Sequence, residues 1–159
     1  MSKIKESRQD KLIVDADNKI IYSLYTVDKS RSPVKRLDLI LDTGAFITVL
    51  RKDRAELNNY PIIKEKGCII AGFSEKGIVC DLRLIDKVVF CGFEVNKVIV
   101  ATPHENSVPV SEVLGMNILE NFKLTLDFDN GQLETSLRKT FVSRKPKYSS
   151  GEIHMIRLG

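Results

Sequence analysis

The 159-residue sequence contains no tryptophan and has only two histidines and three cysteines. Cys68, Cys80 and Cys91 form an odd set without the C-x-x-C spacing of zinc ligands, and His104 and His154 lie far apart in the chain. These absences argue against a zinc centre, a His-rich metal site and a disulfide framework. We therefore expect no metal and no cofactor, and we expect buried thiols in a reducing compartment.

Long apolar runs and a strong charge of one sign are also missing. No stretch approaches the roughly 18 consecutive apolar residues of a membrane span, and residues 1–10 lack the apolar core of a signal peptide. Twenty-five Lys and Arg against 21 Asp and Glu leave a net charge of +4, too small a surplus to predict a nucleic-acid partner. We expect a cytoplasmic protein without a membrane partner.

The pattern of apolar residues and turn signals predicts many short β-strands. Predicted hairpins join residues 11–14 to 19–27, 67–73 to 77–85, 87–90 to 93–100, and 123–128 to 132–137, and a further strand covers 36–41. Two short helices are predicted at 51–59 and 117–122. Regularly spaced short strands are typical of an all-β closed barrel or sandwich.

The composition predicts one folded domain. Apolar residues make up 43% and charged residues 29% of the chain, which is enough apolar material for a single core. We place this domain at residues 11–137, after a flexible N-terminal segment at 1–10. Residues 138–159 form a C-terminal extension, and its part from 138 to 147 carries five basic and no acidic residues.

A carboxylate stands at the end of the apolar strand 36–41, in the sequence Asp42-Thr43-Gly44-Ala45. An aspartate there is unexpected, because burying a lone carboxylate is costly. The threonine supplies a small hydroxyl, and the glycine lets another backbone or a ligand come close. Taken alone, the motif also fits a turn aspartate that binds nearby backbone amides.

The neighbouring residues extend the motif. The segment 41–45, followed by Thr48-Val49-Leu50, resembles the active-site segment of retropepsins, the single-domain aspartic proteases of retroviral type. Residues 113–119 resemble the family's second segment, an apolar-apolar-Gly-x-Asn/Asp run that packs behind the catalytic loop and opens its helix. The resemblance covers residues 20–128 and implies an all-β fold completed as a C2 homodimer.

Catalysis in this family needs two carboxylates that share one proton around a water molecule. The chain has a single Asp-Thr-Gly, so the second carboxylate must come from a second copy of the chain, across a two-fold axis. The resemblance implies catalytic roles for Asp42, Thr43 and Gly44. The threonines would join the two loops, and the glycines would let the loops approach. The expected function is that of a homodimeric aspartic endopeptidase acting on polypeptides.

The predicted hairpin 67–85 matches the position of the family's flap, which closes over a bound peptide. Its tip, 71–77, carries two charges and lacks a dense glycine repeat, so an ordinary exposed hairpin is an alternative. Cys68 and Cys80 lie nearly symmetrically about the tip. A redox-controlled bridge and a pair of inert thiols are both open.

The resemblance also implies a set of residues that contact the substrate. These are Ala45, Phe46, Ile47, Gly72, Phe73 and Val110. Phe46 and Ile47 stand where retroviral enzymes have two acidic residues. The replacement predicts a preference for apolar side chains flanking the scissile bond.

Two other functions are compatible with the sequence. One is a catalytically inactive retropepsin-like module that binds peptides or dimerises. The other is a basic nucleic-acid-binding β-barrel, suggested only by the C-terminal segment and a sequence pI of about 8.9. The sequence lacks the alternation of aromatic and basic residues found in single-strand binders.

Three roles are open for the C-terminal extension. It could reinforce the dimer, occupy the substrate groove, or be removed by self-cleavage.

Overall fold

The computed structural model describes residues 7–27, 35–71 and 76–138, and the backbone of 154–157. Within these residues the chain is mostly β, as predicted. The strands are β1 (Ser7–Lys11), β2 (Ile13–Val14), β3 (Ile20–Val27), β4 (Lys35–Leu41), β5 (Thr48–Val49), β6 (Ile62–Ala71), β7 (Ile78–Phe90), β8 (Phe93–Pro103), β9 (Val113–Leu114), β10 (Phe122–Asp127), β11 (Gln132–Leu137) and β12 (His154–Arg157). The helices are α1 (Lys52–Leu57) and α2 (Met116–Leu119).

A nine-stranded sheet closes on itself into a barrel. Its order is β12-β6-β7-β8-β5-β9-β4-β3-β2, and β3 also pairs with β7. The closed ring therefore runs β7-β8-β5-β9-β4-β3 and returns to β7, with Leu24 opposite Phe90 at the closure. Short β9 lies between β4, to which it is parallel, and β5, to which it is antiparallel. The predicted closed barrel is confirmed.

Alternating side chains fill the barrel. On β4, Leu37 and Leu39 are buried whereas Arg36 and Asp38 are exposed, which is the period of a strand with one face in the core. The Phe90 ring lies at the centre, 4.5 Å from the ring of Tyr22 and 4.8 Å from that of Phe122 between centroids. A second buried cluster consists of Ala45, Ile47, Val49, Cys68, Ile70, Cys80, Leu82, Ala101 and Val113.

The first predicted helix is confirmed as α1, which buries Ala55 and ends at a turn where Asn59 has φ of 55°. The second helix is shorter than predicted. The prediction extended it to residue 122, but α2 ends at Leu119, and Phe122 begins β10. The Phe122 ring packs against Phe90 in the core, and this packing decides the conformation.

A separate three-stranded sheet has the order β1-β11-β10. Its hairpin, β10–β11, turns at Gly131 with φ of 62°, as the Asn-Gly sequence predicts. The prediction of a flexible segment at 1–10 is wrong for its last four residues, because Ser7–Lys11 pairs antiparallel with β11. In the described part of the chain, no helix has the length and apolar character needed to cross a membrane.

Candidate active site

The Asp-Thr-Gly loop begins where β4 leaves the sheet. The backbone N–H of Asp42 donates to the carbonyl of Leu114 at 3.1 Å, which carries the β4–β9 pairing one residue past Leu41. Farther along the loop, the carbonyl of Ala45 accepts from the N–H of Met116 at 2.7 Å. The loop is therefore held at both ends by the segment that runs from β9 into α2.

The Asp42 carboxylate is oriented by its own loop. Its Oδ1 accepts the N–H of Gly44 at 2.9 Å and the N–H of Ala45 at 3.2 Å. Among the described residues, no donor binds the second oxygen, Oδ2. Asp42 is half-buried, and Thr43 and Gly44 are exposed. The carboxylate thus makes the local turn contacts while one oxygen stays available for chemistry.

Gly115 allows the two segments of the site to touch. A Cβ at this position would lie 2.5 Å from the carbonyl oxygen of Ile47 and 2.8 Å from the backbone nitrogen of Thr48. Real side chains do not come so close to backbone atoms, so only glycine fits between α2 and the start of β5.

A small network of polar side chains lies behind the loop. Asn117 Oδ1 accepts both the N–H and the hydroxyl of Thr48, each at 2.9 Å. The Thr48 hydroxyl in turn accepts the N–H of Gly115 at 3.1 Å, and Asn117 Nδ2 donates to the carbonyl of Ile99 at 2.7 Å. The network joins β5, β8 and α2, and the buried Thr48 hydroxyl both donates and accepts a hydrogen bond. The sequence motif predicted that the 113–119 segment belongs to the site, but it did not predict the hydrogen bonds between Asn117 and Thr48. The Asn at the fifth position of the segment is the signal that could have indicated them.

The residues predicted to contact a substrate divide into three groups. Ala45 and Ile47 are fully buried in the second core cluster, where their side chains pack the barrel, and their contact with a substrate stays a prediction. Phe46 and Val110 are partly buried and pack on the edge of the same cluster. The other two, at 72 and 73, lie outside the described residues.

The predicted hairpin is present as β6 and β7. Cys68 and Cys80 are direct partners across it, and both are buried free thiols. A hydrogen bond with Cys68, together with burial, raises the pKa of the Cys80 thiol far above its ordinary value. The thiol is therefore uncharged in this structure, which suits core packing.

A polar cluster anchors the base of this hairpin. The buried Asp81 Oδ1 accepts the N–H of Lys66 at 2.9 Å and lies 2.7 Å from Nδ1 of His104. Lys66 has φ of 48°, at an irregularity in the β6–β7 register, so the carboxylate holds a strained turn in place. The sequence did not predict these contacts, because Lys66, Asp81 and His104 lie far apart along the chain. In residues 7–27, 35–71 and 76–138, no three His, Cys, Asp or Glu side chains gather as a metal site requires.

Two solved structures share this architecture. A retropepsin-like aspartic protease from Rickettsia conorii superposes with a TM-score of 0.56 at 20% identity, over 86% of this chain and 98% of its own. EIAV protease complexed with the inhibitor HBY-793 superposes with a TM-score of 0.50 at 20% identity, over 69% of this chain and 92% of its own. No protein-family model and no curated protein sequence matches the chain.

These likenesses define the fold as that of the retropepsin-like aspartic proteases. The fold predicted from the two sequence segments is confirmed.

Proposed function

We propose that the protein is an aspartic endopeptidase whose active form is a homodimer with Asp42 of each subunit at the two-fold axis. The observation that carries the proposal is the Asp42 carboxylate, fixed through Oδ1 by two loop amides while Oδ2 accepts no bond within the described residues. This carboxylate lies in a retropepsin-like fold, and the two solved structures that the chain resembles are proteases.

The chemistry follows from a pair of such carboxylates. The ionised Asp42 takes a proton from a water molecule, and the water oxygen attacks the peptide carbonyl carbon. The protonated Asp42 of the partner subunit donates to the carbonyl oxygen, giving a gem-diol. The proton taken from the water then passes to the leaving nitrogen as the C–N bond breaks, and one diol hydroxyl returns its proton to the Asp42 of the partner subunit as the carboxylic acid product forms. The amides of Gly44 and Ala45 hold the carboxylate in orientation throughout, so little reorganisation is needed.

The small sheet offers a surface for the second subunit. Its two edge strands within the described residues are β1 and β10. Strand β1, with the sequence Ser-Arg-Gln-Asp-Lys, is entirely polar, which is typical of a protected edge. Strand β10 carries Leu126, which is 37% exposed, and is followed by Phe128, which is 67% exposed. We assign the β10 edge to the dimer, with the catalytic loop joined to it through α2.

The substrate in this proposal is an extended polypeptide. A peptide lying as a strand gains main-chain hydrogen bonds without dependence on its sequence. Phe46 and Val110, at the margin of the second core cluster, would contact its side chains and favour apolar ones. Gly72 and Phe73 stay predicted contacts from the flap.

The test compares Asp42→Asn with Asp53→Asn, a matched change at an exposed aspartate of α1. Asp42→Asn is nearly isosteric and should lower kcat/KM on an unfolded protein substrate by roughly 1,000-fold or more, with the folded structure and dimer retained. Asp53→Asn should cleave like the parent. If Asp42→Asn retained full activity, the proposal would fail; if the parent bound peptides without cleaving them, the inactive binding module would be favoured.

A further inference from the structure

The C-terminal strand β12 lies on the hairpin that borders the site. It runs parallel to β6, with His154 opposite Cys68 and Arg157 opposite Ala71. The other edge of β6 is occupied by β7. Strand β12 therefore covers the outer edge of β6 as far as the last residue of that strand, next to the hairpin tip.

This edge is close to the candidate site. Cys68 and Ile70 project from β6 into the same buried cluster as Ala45 and Ile47, which follow the catalytic Asp42. The segment of β6 paired with β12 thus shares its buried cluster with the residues that follow Asp42.

An exposed edge of β6 would be a ready site for an extended peptide. Its N–H and C=O groups would pair with any strand that lies alongside, whatever the side chains. Strand β12 uses these same groups, so β12 and a peptide cannot pair with the edge together. From this geometry we propose that β12 is an autoinhibitory strand, which occupies the peptide-binding edge of β6 and leaves when substrate binds. This inference rests on the proposed function, because it takes the peptide that competes with β12 to be a substrate.

The covalent link makes such competition effective. His154 lies 16 positions after Arg138 in the sequence, a span of at most about 58 Å. A tethered segment on a link of this length has an effective concentration on the order of millimolar. A dilute peptide must therefore compete against a strand that is always nearby, whereas a concentrated substrate displaces it.

The test removes two backbone N–H groups of β12 in the full chain. Met155→Pro combined with Ile156→Pro takes away two backbone donors and disfavours strand pairing. The control, Met155→Thr combined with Ile156→Thr, keeps both donors and the preference for a strand. Both are made in the Asp42→Asn background so that no probe is cleaved. The probe is a fluorescent peptide with the sequence of residues 151–159.

We expect the proline variant to bind the probe at least about fivefold more tightly than the parent, and its β6 amides to exchange hydrogen faster in the absence of probe. The threonine control should match the parent in both. Equal affinity in all three proteins, or slow β6 exchange in the proline variant, would overturn the inference.

Activity measurements separate this inference from the proposed function. With Asp42 intact, the proline variant should show a lower KM and an unchanged kcat. If no form cleaved but the proline variant bound more tightly, autoinhibition would stand and catalysis would fail. If all forms cleaved with the same KM and bound the probe alike, catalysis would stand and autoinhibition would fail.

Discussion

The hydroxyl of Thr48 donates to Oδ1 of Asn117 at 2.9 Å, joining residues 69 positions apart in the sequence. The same hydroxyl accepts the N–H of Gly115. One oxygen atom thereby fixes α2 against β5, and this contact positions the loop that carries Asp42.

Thr48→Val should destabilise the protein by about 1–3 kcal/mol. Valine has the same shape, but it leaves the buried N–H of Gly115 without its acceptor, and such an unpaired group costs that much. Urea denaturation, followed by circular dichroism, measures the loss. Thr48→Ser keeps the hydroxyl and should cost clearly less. Equal stability of the valine and serine variants would show that the hydrogen bonds are unimportant.

Gly115→Ala should destabilise by about 1–3 kcal/mol, because the new methyl group overlaps the backbone at Ile47 and one segment must move. Under the proposed function, kcat should fall as well, since the displaced segment holds the catalytic loop. Gly131→Asn is the control: Gly131 has φ of 62° and no neighbour within 4 Å of an added Cβ, a conformation that asparagine tolerates. A fully stable, fully active Gly115→Ala protein would contradict the close approach.

Leu126→Lys should weaken the proposed dimer, because it replaces an exposed apolar side chain of β10 with a charge. We expect the dimer dissociation constant to rise at least tenfold, on the order of 1.4 kcal/mol, and specific activity at low protein concentration to fall in parallel. Gln9→Lys introduces the same charge on the β1 edge and should leave the dimer intact. Sedimentation velocity over a dilution series gives both constants. Equal weakening by both variants would remove β10 from the interface.

Cys91 should make stability depend on alkaline pH. Its buried sulfur lies 2.5 Å from the hydroxyl of Tyr22 and 2.9 Å from that of Thr135. Burial raises the pKa of the Cys91 thiol from 9.0 to about 11. The folded protein therefore keeps this proton in a range where the unfolded chain has released it, so the free energy of unfolding falls as pH rises.

The contribution of the protonated Cys91 thiol to the free energy of unfolding is complete below pH 9. It is lost between about pH 9 and 11, a change on the order of 2 kcal/mol. Burial also raises the pKa of Tyr22, so part of the decline has a second source. Cys91→Ser keeps a hydroxyl for both partners and does not ionise in this range. Denaturation from pH 7 to 11 should show a shallower decline for this variant, and parallel curves would exclude Cys91 as a cause.

The fold and the position of the Asp-Thr-Gly loop at the end of β4 could be predicted because their signals are local. Asp42-Thr43-Gly44 is a short motif with distinctive chemistry, and the hairpins are marked by turn residues next to apolar runs. Strand β1 has no such mark: Ser7–Lys11 is polar, and it becomes a strand only because β11 offers an open edge. Strand β12 depends in the same way on the edge of β6.

The direction of side chains was harder to predict than the position of the segment. A motif match places residues 45–47 beside the carboxylate, but it does not say which side chains face the barrel. In the structure, Ala45 and Ile47 are in the core and Phe46 is at its margin. The end of α2 was missed for a related reason, since core packing of Phe122 overrides the helical pattern.

Because the chain is synthesised from its N-terminus, the Asp42 loop is made before the β9–α2 segment that holds it. The ribosome makes Thr48 long before Asn117, and at 5–20 residues per second the 69-position gap lasts on the order of 3 to 14 seconds. During this interval Asp42 belongs to a nascent chain whose loop has neither the Leu114 carbonyl nor the Met116 N–H to hold it. The loop is held at both ends only when the barrel is nearly complete, so a growing polypeptide on the ribosome carries no completed candidate site.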